Sequence, residues 1–191
     1  MTNLSIIGTG NMSQAIASIA AKGGHGVQQL GQSDVDTAIT GDVVVLAVPY
    51  PAVADVIAKR GEQLAGKVVV DITNPLDFAT FDSLVVPADG SAAAEIAAAL
   101  PDSKVLKAFN TTFAGTLASS TVGPLTTTVL IAGDDADAKS TLASIVTSGG
   151  VNAIDAGSLK RARELEAIGF LQLTLAANEK VSWTGGFGVA A

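Results

Sequence analysis

The 191-residue chain contains no cysteine and only one histidine, one tryptophan and one tyrosine. Without cysteine there can be no disulfide, no thiolate nucleophile and no cysteine-held metal. With His25 as the single histidine, no Ser-His-Asp system or metal-ligating cluster presents itself, and no close carboxylate pair stands out. Positive charge is also scarce. Eleven Lys and Arg face 18 Asp and Glu, for a net charge of −7. An acidic chain without a Lys/Arg stripe argues against nucleic acid as a partner. No apolar run approaches the ~20 residues that span a bilayer, so no membrane segment is expected. The N-terminus lacks a basic segment followed by an apolar stretch, so no signal peptide is expected either. What remains is the expectation of a soluble, cytoplasmic protein.

Apolar residues are plentiful at 48%, although aromatics make up only 4%. Alanine and valine supply much of that content and suit close packing of helices on a sheet. Strand-like runs at Leu4–Ile7, Val27–Leu30, Val43–Val48, Val68–Ile72, Val105–Ala108 and Thr127–Ile131 are predicted, with Val151–Ile154 as an edge. Helical patterns at Met12–Lys22, Ala52–Arg60, Ala92–Leu100, Thr112–Ser119, Ala136–Ser148 and Leu159–Asn178 fall between or after them. Such alternation predicts an α/β fold: a Rossmann-like, doubly wound, mostly parallel sheet with a C-terminal helical extension. Residues 1–157 would form this sheet-and-helix domain. Residues 158–191 would add a helix and tail, packed on that domain or on a dimer partner. The runs Val43–Val48 and Val68–Val70 are apolar on both faces, as buried central strands of a parallel sheet are. Between Gly31 and Gly41 there is room for barely one helical turn, where a crossover helix is usual.

The segment Gly8-Thr9-Gly10-Asn11-Met12-Ser13 joins the first strand to the first helix. A glycine turn in that position lets the backbone approach a dinucleotide pyrophosphate, and the helix N-terminus offers it N–H groups and a positive dipole end. The third glycine of the fingerprint is replaced by Ser13, small enough to preserve close helix–strand packing. In a doubly wound sheet, ligands lie outside the carboxyl ends of the strands. Those ends read Val48-Pro49-Tyr50, Asp71-Ile72-Thr73-Asn74-Pro75 and Lys107-Ala108-Phe109-Asn110-Thr111. The prolines fix a rigid wall, while Tyr50, Thr73, Asn74, Asn110 and Thr111 bring polar groups to one crevice.

Together, Gly8–Met12, Ala47–Tyr50, Asp71–Leu76 and Lys107–Thr111 resemble the NADP oxidoreductases that use the deazaflavin coenzyme F-420. The wider family includes flavin-handling domains of the metalloreductase type. The resemblance covers at least Asn3 to Thr112, and more loosely the C-terminal helix. It implies hydride transfer between the nicotinamide and a flavin or deazaflavin, a small-molecule electron acceptor. In such chemistry the cofactors hold the reactivity, and the protein stacks two rings and excludes water. No dedicated catalytic acid or base is therefore expected, and no metal. The expected sites are Gly8, Thr9, Gly10, Asn11 and Met12 at the pyrophosphate, and Gln32 and Ser33 at the adenosine ribose or its phosphate. Val48, Pro49 and Tyr50 are expected beside the nicotinamide, with Asn74, Pro75, Asn110 and Thr111 near the reacting rings.

After the second strand a NAD-type domain places an acid, and a NADP-type domain a base. Gln32 and Ser33 stand where the family presents a small polar residue and then a basic one, and the base is absent. NADP thus rests on the resemblance, NAD stays open, and Asp34 would gain a role if NAD were used. Two other readings compete with the reductase. One is a non-catalytic dinucleotide sensor acting through a partner protein; the other is a dehydrogenase for a small carbonyl, weakened by the lack of a proton donor.

Several residues have plainer readings. His25 completes the turn before the second strand. Lys107 is a strand-end charge, and Asp71 either orients a ligand or bonds the backbone locally. Lys160, Arg161, Arg163, Glu164 and Glu166 form a solvated helix face. The almost wholly apolar continuation of that helix must be buried, which favours a homodimer. In the tail, Trp183 or Phe187 either packs as a terminal segment or walls the second ring.

Overall fold

In the computed structural model, which describes residues 1–190, the chain begins with β1 (Asn3–Ile7), α1 (Asn11–Lys22), β2 (Gly26–Leu30) and β3 (Val43–Leu46). It continues through α2 (Val53–Leu64), β4 (Val68–Asp71), α3 (Ala92–Ala99), β5 (Lys104–Lys107) and α4 (Ala114–Ser119). A hairpin, β6 (Thr121–Val122) and β7 (Leu125–Thr126), leads to β8 (Thr128–Gly133), α5 (Ala136–Ser148), β9 (Asn152–Gly157) and α6 (Ala162–Ala177). Seven strands form one sheet in the order β2-β1-β3-β4-β5-β8-β9. The first five are mutually parallel, β8 is antiparallel to β5, and β9 is parallel to β8. This is the expected Rossmann-like, mostly parallel sheet with a C-terminal helix.

Alternation along the strands builds two cores. Val43 and Val45 face the layer of α1 and α5, against Ile16, Ile19, Leu142 and Ile145. Val44 and Leu46 face the layer of α2 and α3, against Val53, Leu64 and Ile96. Both layers bury β3 completely, which is why its sequence shows no polar face.

The chain leaves β1 on one side to make β2, then crosses back to form β3 on the other. That reversal opens a crevice above the ends of β1 and β3. No helix forms between β2 and β3, as the short link required. β3 ends at Leu46 rather than Val48, and Pro49, which carries no N–H, cannot extend the ladder. Ala47 still donates to the Ile7 carbonyl at 2.8 Å. Two features differ from expectation: α2 runs past Arg60 to Leu64, and the β6–β7 hairpin was not foreseen.

Candidate functional site

Gly8 adopts φ 124°, a region that other residues avoid, and an added Cβ would run into the Ala47 carbonyl oxygen. The direction in which Gly10 would carry a Cβ is open, with no atom within 4 Å. α1 begins there with no side-chain cap and no acid in its first turn, so its leading N–H groups face that open space unopposed. This cradle fits a pyrophosphate. Ser13 is fully buried; its hydroxyl donates to the Gly8 carbonyl at 2.7 Å and accepts from Gln29 Nε2 at 2.8 Å. It therefore keeps the close packing of the missing glycine and also ties the turn to α1 and β2.

The crevice beside this turn has a volume of about 670 Å³. Of the expected residues, Gly8, Thr9, Gly10, Gln32, Val48 and Pro49 line it. The sequence reading missed the opposite wall, formed by Ala52, Asp55, Val56 and Lys59. Their i, i+3, i+4, i+7 spacing marks one helix face, a signal that points to the site only once α2 is known to rise from the end of β3. Asp34 accepts the Gly31 N–H at 2.7 Å and so closes its own loop. Arg60, 5% exposed, donates to the Thr37 carbonyl at 2.8 Å and to the Asp34 carbonyl, clamping the β2–β3 loop against α2.

A second crevice of about 480 Å³ opens beyond the same helix N-terminus. The expected Asn11, Met12, Asn74 and Asn110 line it, joined by Phe113 and Trp183. Asn110 Nδ2 donates to Asn74 Oδ1 at 3.0 Å and to the Leu165 carbonyl at 2.8 Å, while Asn74 Nδ2 donates to the Asn110 carbonyl at 3.1 Å. The buried Asn110 Oδ1 has no hydrogen-bond partner. A buried acceptor without a partner carries a desolvation cost. α6 can lie this close only because Gly169 has no side chain; a Cβ there would strike Asn74 Oδ1. Phe109, at the end of β5, holds φ 64°, a conformation unfavourable by about 1–3 kcal/mol for a non-glycine residue and typical of functional turns.

The tail is held over this region. Gln172 donates to the Thr111 carbonyl at 3.3 Å and accepts the Phe187 N–H at 2.9 Å. Trp183 packs on Phe113 with ring centroids 5.1 Å apart. Of the two tail aromatics, Trp183 borders the crevice and Phe187 does not.

Ser33, Tyr50, Pro75 and Thr111 line neither crevice. Ser33 is exposed on the loop, Pro75 accepts the Val85 N–H at 2.7 Å, and Thr111 offers its carbonyl to Gln172. Tyr50 donates its hydroxyl to Glu95. Burial, together with that carboxylate, pushes the phenol pKa above its ordinary value, so Tyr50 stays protonated.

Beneath the second crevice lies a buried charge cluster. Lys107 Nζ stands 2.8 Å from Asp71 Oδ2, 2.8 Å from Glu166 Oε1 and 2.6 Å from the Thr73 carbonyl. Glu166 also accepts the Ala92 N–H at 2.9 Å at the start of α3. The expectation of a solvated Glu166 is thus corrected: it is 1% exposed, because α6 turns this side toward β5. Lys107 is likewise no solvent-facing strand end, and Asp71 bonds locally to the Thr73 N–H at 2.8 Å. Burial raises the Glu166 pKa above its ordinary value, and the Lys107 ammonium opposes that rise. α6 is not buried all round either: Ile168 and Leu171 are 36% and 51% exposed. His25 sits at its expected turn, accepting from the Thr2 N–H at 3.3 Å and paired with Ser148 at 3.1 Å. Among the described residues no three His, Asp or Glu side chains gather as metal ligands, and no helix is long and apolar enough to cross a membrane.

Residues 26–75 match the family model for NADP oxidoreductases, coenzyme F420-dependent. The chain is 36% identical over 160 residues to the F420-dependent NADP reductase of Methanocaldococcus jannaschii, covering 82% of this chain and 71% of that one. It is 32% identical over 135 residues to the metalloreductase STEAP3 of Rattus norvegicus, covering 70% of this chain but only 26% of that protein. A crystal structure from Arthrobacter sp. FB24, provisionally described as an F420-dependent NADP-reductase, superposes with a TM-score of 0.85 at 25% identity. That match covers 100% of both chains. These relatives are described as reductases, and none supports a non-catalytic sensor.

Proposed function

Because the chain belongs to the F420-dependent NADP reductase family, we propose that it passes hydride between NADP(H) and a deazaflavin whose rings meet beside the first turn of α1. One observation carries this reading: two crevices flank that turn, one lined by the glycine cradle and the other by Phe113 and Trp183. When bound, the two cofactors supply the chemistry, a hydride moving from the nicotinamide to the deazaflavin ring with a proton taken from solvent. The protein binds, orients and keeps water out.

Gly8, Thr9, Gly10, Asn11 and Met12 hold the pyrophosphate, and Gln32 with Ser33 meets the adenosine end. Val48 and Pro49 border the nicotinamide; Tyr50 stands just outside that crevice, holds Glu95 and releases no proton. Asn74 and Asn110 border the meeting rings, while Pro75 and Thr111 stand behind them, outside both crevices. Trp183 covers the second ring.

Mixing the protein with NADPH and deazaflavin is expected to oxidise NADPH with matching loss of the deazaflavin absorbance, and deazaflavin alone to quench Trp183 fluorescence. Tight NADPH binding without turnover on deazaflavin or flavin would sink the enzyme reading. Turnover with undisturbed Trp183 emission would remove the tryptophan from the site.

We place the enzyme in the cytoplasm as a homodimer. The exposed Ile168 and Leu171 on the outer side of α6 support the dimer. Light scattering is expected to give twice the chain mass, and Leu171→Glu to reduce it to one; a monomeric wild type would refute the assembly.

A further inference from the structure

The basic residue absent after β2 has a counterpart on the facing wall. We propose that Lys59 is the counter-ion for the 2′-phosphate of NADP and so determines the preference for NADP over NAD. This rests on the reading that NADP occupies the crevice beside Gly8–Gly10.

Lys59 is exposed on α2 and lines the same crevice as Thr9, Gly31 and Gln32. Thr9 and Gly31 are neighbours, since the Thr9 Cγ2 lies 3.5 Å from the position of a Cβ on Gly31. A phosphate lodged at the end of β2 therefore has the Thr9 hydroxyl and the Gln32 side-chain amide on one side and the α2 face on the other. The remaining charges of that space have other engagements or the wrong sign. The Arg60 guanidinium is buried and donates to the Thr37 and Asp34 carbonyls. Its role is to hold the β2–β3 loop beside α2, which brings the Lys59 side of the helix to the phosphate. The Asp34 carboxylate is taken up by the Gly31 N–H and is not presented to a ribose diol. Asp55 lines the crevice one helical turn before Lys59, yet the two form no ion pair within 4 Å. Among the described residues, Lys59 is the cation in this crevice whose ammonium makes no ion pair or hydrogen bond, on a stem long enough to follow a dianion.

The chemistry matches the task. An ammonium is a mobile point charge that does not need the fixed fork geometry of an arginine. Facing a phosphate that is close to doubly charged, it discriminates by charge alone, so its effect should weaken as salt screens it.

The test is direct binding of NADPH and NADH, followed by the fluorescence of the reduced nicotinamide and by calorimetry at low and high salt. Wild type is expected to bind NADPH more tightly than NADH, with a preference that shrinks as salt rises. Lys59→Ala is expected to weaken NADPH about tenfold, which corresponds to about 1.4 kcal/mol, and to leave NADH within about twofold. Lys59→Glu should lose more, and Lys59→Arg should restore much of the preference. Unchanged NADH binding in each variant doubles as the control for an intact fold. Equal losses for both nucleotides, or an undiminished NADPH preference in Lys59→Ala, would overturn the proposal. A wild type with no preference for NADPH would instead overturn the NADP reading on which it rests.

Discussion

Replacing Lys107 by methionine is expected to destabilise the protein by about 3–5 kcal/mol, a large share of the 5–15 kcal/mol typical of a folded domain. The reason is charge, not volume. Lys107 is fully buried between Asp71 and Glu166, and its removal leaves two carboxylates facing each other in a low-dielectric interior. Urea denaturation at neutral pH measures the loss, and a change below about 1 kcal/mol would show that the cluster contributes little. Glu166→Gln should behave differently. It removes one of two negative charges held by a single cation and keeps an oxygen for only one of the Ala92 and Ala93 N–H groups that the carboxylate accepts, so it is expected to cost less than Lys107→Met, about 1–3 kcal/mol.

The pH dependence separates the two variants further. The folded pKa of Glu166 is raised above its ordinary value of 4.5, first by burial. Its contribution to stability is therefore fully present below that value and is lost as pH rises through the folded pKa. Glu166→Gln removes this loss, so its stability relative to wild type should improve as pH climbs from below 4.5 toward neutrality. A difference that is flat across this range would refute the assignment. Lys107→Met, by contrast, should recover stability at low pH, where Glu166, no longer opposed by an ammonium, takes up a proton.

Gly10→Ala is expected to abolish most cofactor affinity while leaving the fold untouched. No protein atom lies within 4 Å of the added methyl, and Gly10 has an extended backbone that alanine adopts freely. The methyl would occupy the space into which the α1 N–H groups point. The loss of one charge-assisted hydrogen bond at about 1.5–3 kcal/mol corresponds to roughly 30-fold weaker NADPH binding, with the melting temperature shifted by no more than a few degrees. Gly8→Ala supplies the contrast. Its φ of 124° and the Ala47 carbonyl oppose any side chain, so stability and binding should fall together. Retention of wild-type NADPH affinity by Gly10→Ala would move the pyrophosphate elsewhere.

The contrast between these glycines marks how far local sequence reaches. Gly8, Gly10 and Ser13 announce a turn and a helix start within six residues, and the structure places them together because β1 and α1 are consecutive. The strand ends at Val48, Asn74 and Asn110 were legible for a similar reason: in a parallel sheet, successive strands bring the same end to the same side. Lys59 was not legible. It stands 27 residues from Gln32, and its nearness depends on how Arg60 clamps the intervening loop. Glu166 was misread because five charged residues crowd positions 160–166 around the start of its helix, and only the docking of α6 on β5, made close by Gly169, shows which of them turns inward.

The amino-acid sequence by itself determined the alternation of strands and helices, the glycine turn before α1 and the family, since each is written in short-range pattern and spacing. Tertiary structure alone decided three things: the antiparallel direction of β8, the inward face of α6, and the α2 wall of the crevice beside Gly8. All three arise from packing between segments far apart in the chain. Hydrophobic periodicity records that a face is buried, but not against what.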